Sequence, residues 1–292
     1  SEPGEGSTFT VSVPLERAAG ASADAVQDEA EDMPLAGCKV LLAEDNRINR
    51  EVAQVLLRDT GLVVETAEDG RAAIEMALAR PYDLVLMDMQ MPEVDGLAAT
   101  RALRAALGPA LPIVAMTANA FAEDRQACLD AGMNDHLPKP VDPGQLYAKL
   151  LRWLPGAEAA PAAAPAPAAD RALPPRLASM EGLDCAIGLR NVGGQFASFE
   201  RVLRTFAQVY RGGVPDFAAA AQGSLQSLRQ ACHSLRGACA TIGAAAIQAE
   251  LAEFSSALAA PGAEVVALAA RAQALNEHLV GLAVQIETAL EA

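Results

Sequence analysis

The sequence predicts two folded parts, an α/β doubly wound domain followed by a separate all-α helical bundle. Three observations carry this. From Cys38 to about Trp153, short β-rich runs alternate with helical runs. Alternation of that kind builds a parallel sheet covered on both faces. Beyond Leu177 the β signal stops and only helical periodicity continues. Between them, at 155–176, lies a linker built on "GAEAAPAAAPAPAADRALPP" (156–175), a low-complexity Ala/Pro stretch that suits an extended tether. A chain of 292 residues has room for about two domains.

The opening stretch, "SEPGEGSTFTVSVPL" at 1–15, reads as a turn and a strand, with Phe9, Val11 and Val13 alternating. A strand without a partner predicts that residue 1 is a cut through a longer protein. Residues 16–36 are acidic, Ala-rich and aperiodic, the pattern of a solvated linker. The α/β domain follows at 37–154. "KVLLAED" is an apolar strand ending in two acids. "NRINREVAQVLLRDTG" is helical, with Asn46 as N-cap and Gly61 as stop. Then come "LVVETA" (strand), "EDGRAAIEMALARP" (helix), "YDLVLMDMQMP" (strand) and "DGLAATRALRAAL" (helix). "LPIVAMTA" (strand), "FAEDRQACLDAG" (helix), "MNDHLPKP" (strand and turn) and "DPGQLYAKLLRWL" (helix) complete it. Asp142 caps the last helix and Pro143 fits its first position. Five strands and five helices in about 117 residues is the size of a flavodoxin-like doubly wound domain. The tether, at ~3.1 Å per residue, reaches at most ~60 Å. From 177 to 292, helical runs broken by "RGGVPD", "IGA" and "APGAE" predict about four main helices in antiparallel neighbours.

Composition excludes several classes. A net charge of −15 and a pI near 4.6 argue against nucleic-acid binding, which needs a basic face. The five cysteines form no C-x-x-C pair, the pattern of a reduced, cytosolic chain. No apolar run approaches the ~18 residues of a membrane span, and no signal-peptide pattern occurs. No membrane contact by these residues is expected.

In doubly wound sheets, ligands bind at the carboxyl ends of the strands. Here those ends carry Glu44 and Asp45, Asp88, Thr117, and Lys139 after the fifth strand. A lone acid at a strand end is ordinarily a solvated loop residue. Five such positions converging on one edge point to chemistry. Packed carboxylates need neutralising, and hard oxygen ligands suit Mg²⁺ with Lys139 beside it. The motifs "LLAEDNRINREV", "DLVLMDMQMPEVDG", "PIVAMTANA" and "DHLPKP" make Cys38 to about Trp153 resemble a response-regulator receiver domain. The resemblance implies that Asp88 is the phosphoacceptor. Glu44 and Asp45 would hold Mg²⁺ with Asp88 and the backbone carbonyl of Gln90, while Thr117 and Lys139 would contact phosphoryl oxygens. Receivers usually carry Tyr or Phe three residues before the Lys; here the position is His136, so an aromatic rotamer switch is not expected.

In "ACHSLRGACA" at 231–240, His233 stands between Cys232 and Cys239. On a helix these side chains diverge, so they do not form a metal site; the cysteines fit as small core residues. A lone helical histidine is most often core. Arg236 and Gly237, however, share a face with His233 at i+3 and i+4. The cation would balance an incoming phosphoryl group. Gly, unfavourable by roughly 1 kcal/mol inside a helix, leaves room for a docking partner. "HSLRGACATIGA" resembles the signature of histidine-phosphotransfer (HPt) domains, with Arg where Lys is commonest. His278 lacks such neighbours and reads as packing or surface. With residues 1–15 resembling the last strand of a kinase ATP-binding domain, the order matches hybrid sensor histidine kinases. The resemblance implies a cytoplasmic phosphorelay. It would run from an upstream histidine-kinase domain of the same protein to Asp88, to His233, and on to a separate response regulator receiver. The kinase core itself is absent, and any membrane anchor of the whole protein would lie upstream. The alternative is a non-catalytic, phosphorylation-dependent interaction module with a helical docking or dimerisation scaffold.

Overall fold

The computed structural model describes residues 35–58, 60–117, 122–155, 173–220, 224–260 and 265–291. The strand expected at 1–15, most of the acidic linker and most of the Ala/Pro tether lie outside the described residues.

The α/β part runs β1 (Lys39–Ala43), α1 (Arg47–Arg58), β2 (Val63–Ala67), α2 (Gly70–Ala79), β3 (Leu84–Asp88), α3 (Gly96–Leu107), β4 (Ile113–Thr117), α4 (Ala122–Ala131), β5 (Asp135–Pro138) and α5 (Pro143–Trp153). All strands are parallel, in the order β2-β1-β3-β4-β5. This is the flavodoxin-like doubly wound arrangement. Because side chains alternate along a strand, successive residues feed two cores. Leu41, Val85, Met87 and Ile113 pack under α2, α3 and α4, against Ala73, Ala99, Leu103 and Cys128. Val40, Leu42, Leu84, Leu86 and Val114 pack under α1 and α5, against Ala53, Leu57, Leu146 and Leu150. Leu35 joins this second core at 1% exposure, although the sequence places it in the linker. Asp69, Asp95 and Asp142 accept hydrogen bonds from the first-turn amides of α2, α3 and α5.

The second part is an all-α bundle. Its four long helices are α8 (Phe196–Tyr210), α10 (Leu225–Ile242), α11 (Ala245–Ala259) and α12 (Val265–Glu291). Short helices α6 (Pro175–Ala178), α7 (Cys185–Asn191) and α9 (Pro215–Ala218) accompany them. The sequence reads 215–242 as one helical run, but it is two helices. Ser224 starts α10 with a capping box shared with Ser227, and local capping overrides helical propensity there. Gly243 ends α10 in the left-handed conformation (φ 80°), and a Cβ there would meet the Asp184 carbonyl at 2.2 Å.

The α/β part and the bundle touch through α1. One face of α1 carries Ala53 and Leu57 to the sheet. The other carries Ile48 (0% exposed) and Val52 (5%) into the bundle core with Phe199, Leu203 and Leu235.

Candidate functional site

The carboxyl ends of β1 and β3 place three acids together. Glu44 and Asp88 are buried and Asp45 is partly so, and one oxygen from each lies within 4.8 Å of the others. Lys139, from the end of β5, forms ion pairs with both Glu44 and Asp88, the latter at 2.7 Å. Asn49 donates to Glu44 Oε1 (2.9 Å). Thr117, ending β4, is 2% exposed. Burial pushes the Glu44 and Asp88 carboxyls up, against the pull of Lys139. Burial and then the Glu44 charge push Asp45 to about 6. Burial alone would lower Lys139, but Glu44 and Asp88 outweigh it and hold the ammonium above its ordinary range. Lys139 thus faces three carboxylates.

The acids suit a hard divalent ion. The Asp88 Oδ2 atom is buried and, though near Lys139 Nζ by distance, has no aligned hydrogen-bond donor. An all-oxygen set with an orphaned lone pair and surplus negative charge fits Mg²⁺. Glu44, Asp45 and Asp88 are the residues that would hold it. The Gln90 N–H donates to Asp88 Oδ1 at 3.2 Å, so this strand exit is tied to the acid cluster through backbone.

A cavity of about 100 Å³ lies over the acids, and its other wall is α10. Glu44, Asp45, Asp88 and Lys139 line it from one side, and His233, Ser234, Arg236 and Gly237 from the other. A wider groove of about 410 Å³, lined by Asp45, Gln90 and His233 among others, opens beside it. His233 is driven down to about 4, first by burial and then by Lys139 and Arg236. Its imidazole is therefore neutral at physiological pH, with a nitrogen lone pair free to act as nucleophile. Gly237 sits where the two walls come close. A Cβ there would stand 2.8 Å from Asn49 Nδ2. Cys232 and Cys239 point away from the cavity into the bundle, with Cys232 Sγ 2.9 Å from Ser255 Oγ.

Each residue singled out in the sequence is thus accounted for. Glu44, Asp45, Asp88, Lys139, His233, Arg236 and Gly237 converge on one cavity. Gln90 lines the adjoining groove, and Thr117 is buried at the end of β4 beside β3. His136, 30% exposed, has Nδ1 3.8 Å from Asp135 Oδ1. His278 pairs with Glu250 at 2.9 Å on the bundle surface. Sequence reasoning missed the contacts that hold the two walls together. Asn46 Nδ2 donates to the Ser234 carbonyl and hydroxyl, both at 2.8 Å, and Thr241 Oγ1 donates to Asn49 Oδ1 at 3.2 Å. Arg201 Nε stands 2.8 Å from Glu51 Oε1, an ion pair without hydrogen-bond alignment. The available signal was the second apolar stripe of α1, Ile48 and Val52, which the sheet does not need.

The family model for the response regulator receiver domain matches residues 40–151. The sensor histidine kinase GacS of Pseudomonas protegens is 35% identical over 223 residues, covering 66% of this chain and 24% of that protein. The aerobic respiration control sensor protein ArcB of Escherichia coli is 41% identical over 155 residues, covering 52% of this chain and 20% of that protein. The chain thus spans a quarter or less of these relatives' length. Among solved structures, the receiver domain of sensor histidine kinase PA1611 from Pseudomonas aeruginosa, with a magnesium ion in its active-site cleft, is 45% identical. That match covers 40% of this chain and 98% of that one, with a TM-score of 0.39. No helix among the described residues is long and apolar enough to cross a membrane. Residues 40–151 are a response regulator receiver domain, similar to those of sensor histidine kinases such as GacS and ArcB.

Proposed function

We propose that the chain passes a phosphoryl group from Asp88 of the receiver to His233 of the bundle, which acts as an HPt domain, and from there to a separate response regulator. One observation carries the reading: Asp88 and His233 line the same small cavity from two different domains. Asp88 first receives the group from an upstream kinase histidine, its carboxylate oxygen forming an acyl phosphate. In the second step a neutral ring nitrogen of His233 attacks phosphorus. The N–P bond forms as the bond from phosphorus to the Asp88 oxygen breaks, and the electron pair leaves with the carboxylate. The ring proton stays on the other nitrogen or passes to water.

Lys139 and Arg236 face the transferring oxygens and offset their spreading charge. Thr117, next along β4 after Met116, the register partner of Asp88, would donate to a phosphoryl oxygen on Asp88. Mg²⁺ at Glu44, Asp45 and Asp88, with the Gln90 carbonyl as a further ligand, would neutralise charge on the phosphoryl group. Onward transfer needs the His233 face to be released, because the chain's own receiver covers it. In this reading the chain takes its phosphate from a donor and is expected to take no label from ATP.

The test loads the purified chain with a small phosphodonor and follows label by residue. Label is expected on Asp88 and then on His233 as acid-labile, alkali-stable phosphate. It should vanish from His233 in both His233→Gln and Asp88→Asn. A chain that labels Asp88 and never forms phosphohistidine overturns the reading in favour of a phosphorylation-dependent docking module.

A further inference from the structure

Asn46 follows the acid pair directly, and its two amide ends do different work. Its Oδ1 accepts from the amides of Ile48 (2.8 Å) and Asn49 (3.3 Å), which caps α1. Its Nδ2 points the other way, into the bundle. There it donates to the Ser234 carbonyl and the Ser234 hydroxyl, with the Tyr210 hydroxyl at 3.4 Å. An amide nitrogen has two hydrogens, and both find a short acceptor. The residue is 5% exposed, so a donor left without these acceptors would be buried unsatisfied or would admit water.

Ser234 is the residue after His233. Fixing Ser234 fixes the rotation and height of α10 over the acids, since one residue along a helix is a turn of about 100° and a rise of about 1.5 Å. A slip of one residue would swing His233 out of the cavity it shares with Asp88. We infer that Asn46 is a positioning and specificity residue for Asp88-to-His233 transfer: its side-chain oxygen caps α1 while its nitrogen grips the bundle helix beside the histidine. The receiver therefore selects a partner helix that presents a carbonyl and a hydroxyl just after its histidine, with a Tyr alongside. The inference rests on the transfer reading proposed above, but its docking half can be tested without it.

Two substitutions separate the two jobs. Asn46→Asp and Asn46→Ser both keep an oxygen able to cap α1, and both remove the amide nitrogen that reaches Ser234; Ser does so without adding charge, its hydroxyl being one atom shorter. In the full-length chain, transfer is measured per Asp88 already loaded, so that changes in loading do not enter. The first-order appearance of phosphohistidine is expected to fall about ten- to a hundredfold in both variants, the effect of one lost buried donor. Amide hydrogen exchange of α10 around Ser234, and carbethoxylation of His233, are expected to speed up in both. The unfolding midpoints of the α/β domain and the bundle serve to separate undocking from unfolding. Unchanged exchange and unchanged transfer in Asn46→Ser would overturn the inference. So would faster exchange accompanied by a lowered midpoint of the α/β domain, since that would leave Asn46 as a cap alone. If wild-type chain never labels His233, the transfer reading fails, yet the exchange comparison still decides whether Asn46 holds the two domains together.

Discussion

Replacing Gly237 with alanine should move stability and transfer in opposite directions. Gly237 lies inside α10, at helical φ, so alanine removes a flexible residue from a helix interior. That favours the helix by about 1 kcal/mol, which for a bundle of this size raises the unfolding midpoint by about 4 °C. The same methyl group would stand 2.8 Å from Asn49 Nδ2. That contact is too close, and the atom that must yield is the end of a side chain. The Asn49 amide cannot move freely, because it donates to Glu44 Oε1 at 2.9 Å and accepts from Thr241 Oγ1 at 3.2 Å. Displacing it forfeits both bonds, each worth about 1 kcal/mol net. Docking should weaken by about 2 kcal/mol, and transfer from Asp88 to His233 should slow about thirtyfold. Circular dichroism on heating reads the first effect and single-turnover label transfer reads the second. Adding Asn49→Ala should restore part of the loss, because the methyl group then meets no one, and the two changes should be non-additive by about 1 kcal/mol or more. A Gly237→Ala chain whose transfer is unchanged would refute the close approach. One that loses both stability and transfer would show that α10 itself needs the glycine.

Ile48→Asp places a charge where the bundle leaves 0% exposure, while the sheet-facing side of α1 stays intact. Transfer should drop about a hundredfold or more with the receiver still folded, measured by label transfer and circular dichroism. The acidity of His233 makes a separate expectation. Its ordinary value of 6.5 falls to about 4 in the docked protein, so between those values the separated state takes up a proton that the docked state refuses. Docking is therefore fully favoured above about pH 6.5 and weakens as pH falls toward 4. Asp45, raised to about 6, titrates in the same window with the opposite sign. Hydrogen exchange of α10 should thus be compared between wild type and His233→Gln: the difference should be flat above pH 6.5 and grow below it. A difference that is flat from pH 8 to 5 would contradict the burial of the imidazole.

How much of this was legible in the sequence depends on whether the cause was local. The sheet was readable because alternation of apolar strands with capped helices is written in each segment. Asp69, Asp95 and Asp142 announce their helices, and Asp88, Thr117 and Lys139 sit where strands end. The split of residues 215–242 was not seen, since a capping box at Ser224 competes with a run of good helix formers and only geometry decides between them. Leu35 was missed because one apolar residue after an acidic stretch has no period to betray it. The docking contacts were the least legible. Asn46 is visible as a cap, and Ile48 and Val52 as apolar, but nothing in α1 says that a second body 180 residues away supplies the other acceptor. Gly237 was readable as room for a partner, whereas the partner atom, Asn49 Nδ2, was not.

The composition of this contact bears on how the relay turns over. In the proposed scheme the face of α10 that holds His233 must serve two receivers in succession, its own and a separate one. A tight internal complex would trap the phosphoryl group, and a very weak one would not form often enough. The apolar part supplied by the receiver is small: Ile48 and Val52 are buried in the bundle core, and Leu56 packs against it partly buried. Burying two aliphatic side chains is worth about 4 kcal/mol, similar to the least that two free bodies lose on associating. The polar contacts of Asn46 and Asn49 then decide which helix is accepted more than how firmly it is held. Carrying both domains on one chain supplies the missing concentration, so the internal complex can form readily and still part. Substitutions that strengthen it should speed the first transfer and slow the second, and those that weaken it should do the reverse. A contact built from a few aliphatics and a few directional hydrogen bonds sits between those failures, so in the proposed scheme the limiting step is expected to be the separation of α1 from α10 after phosphohistidine has formed.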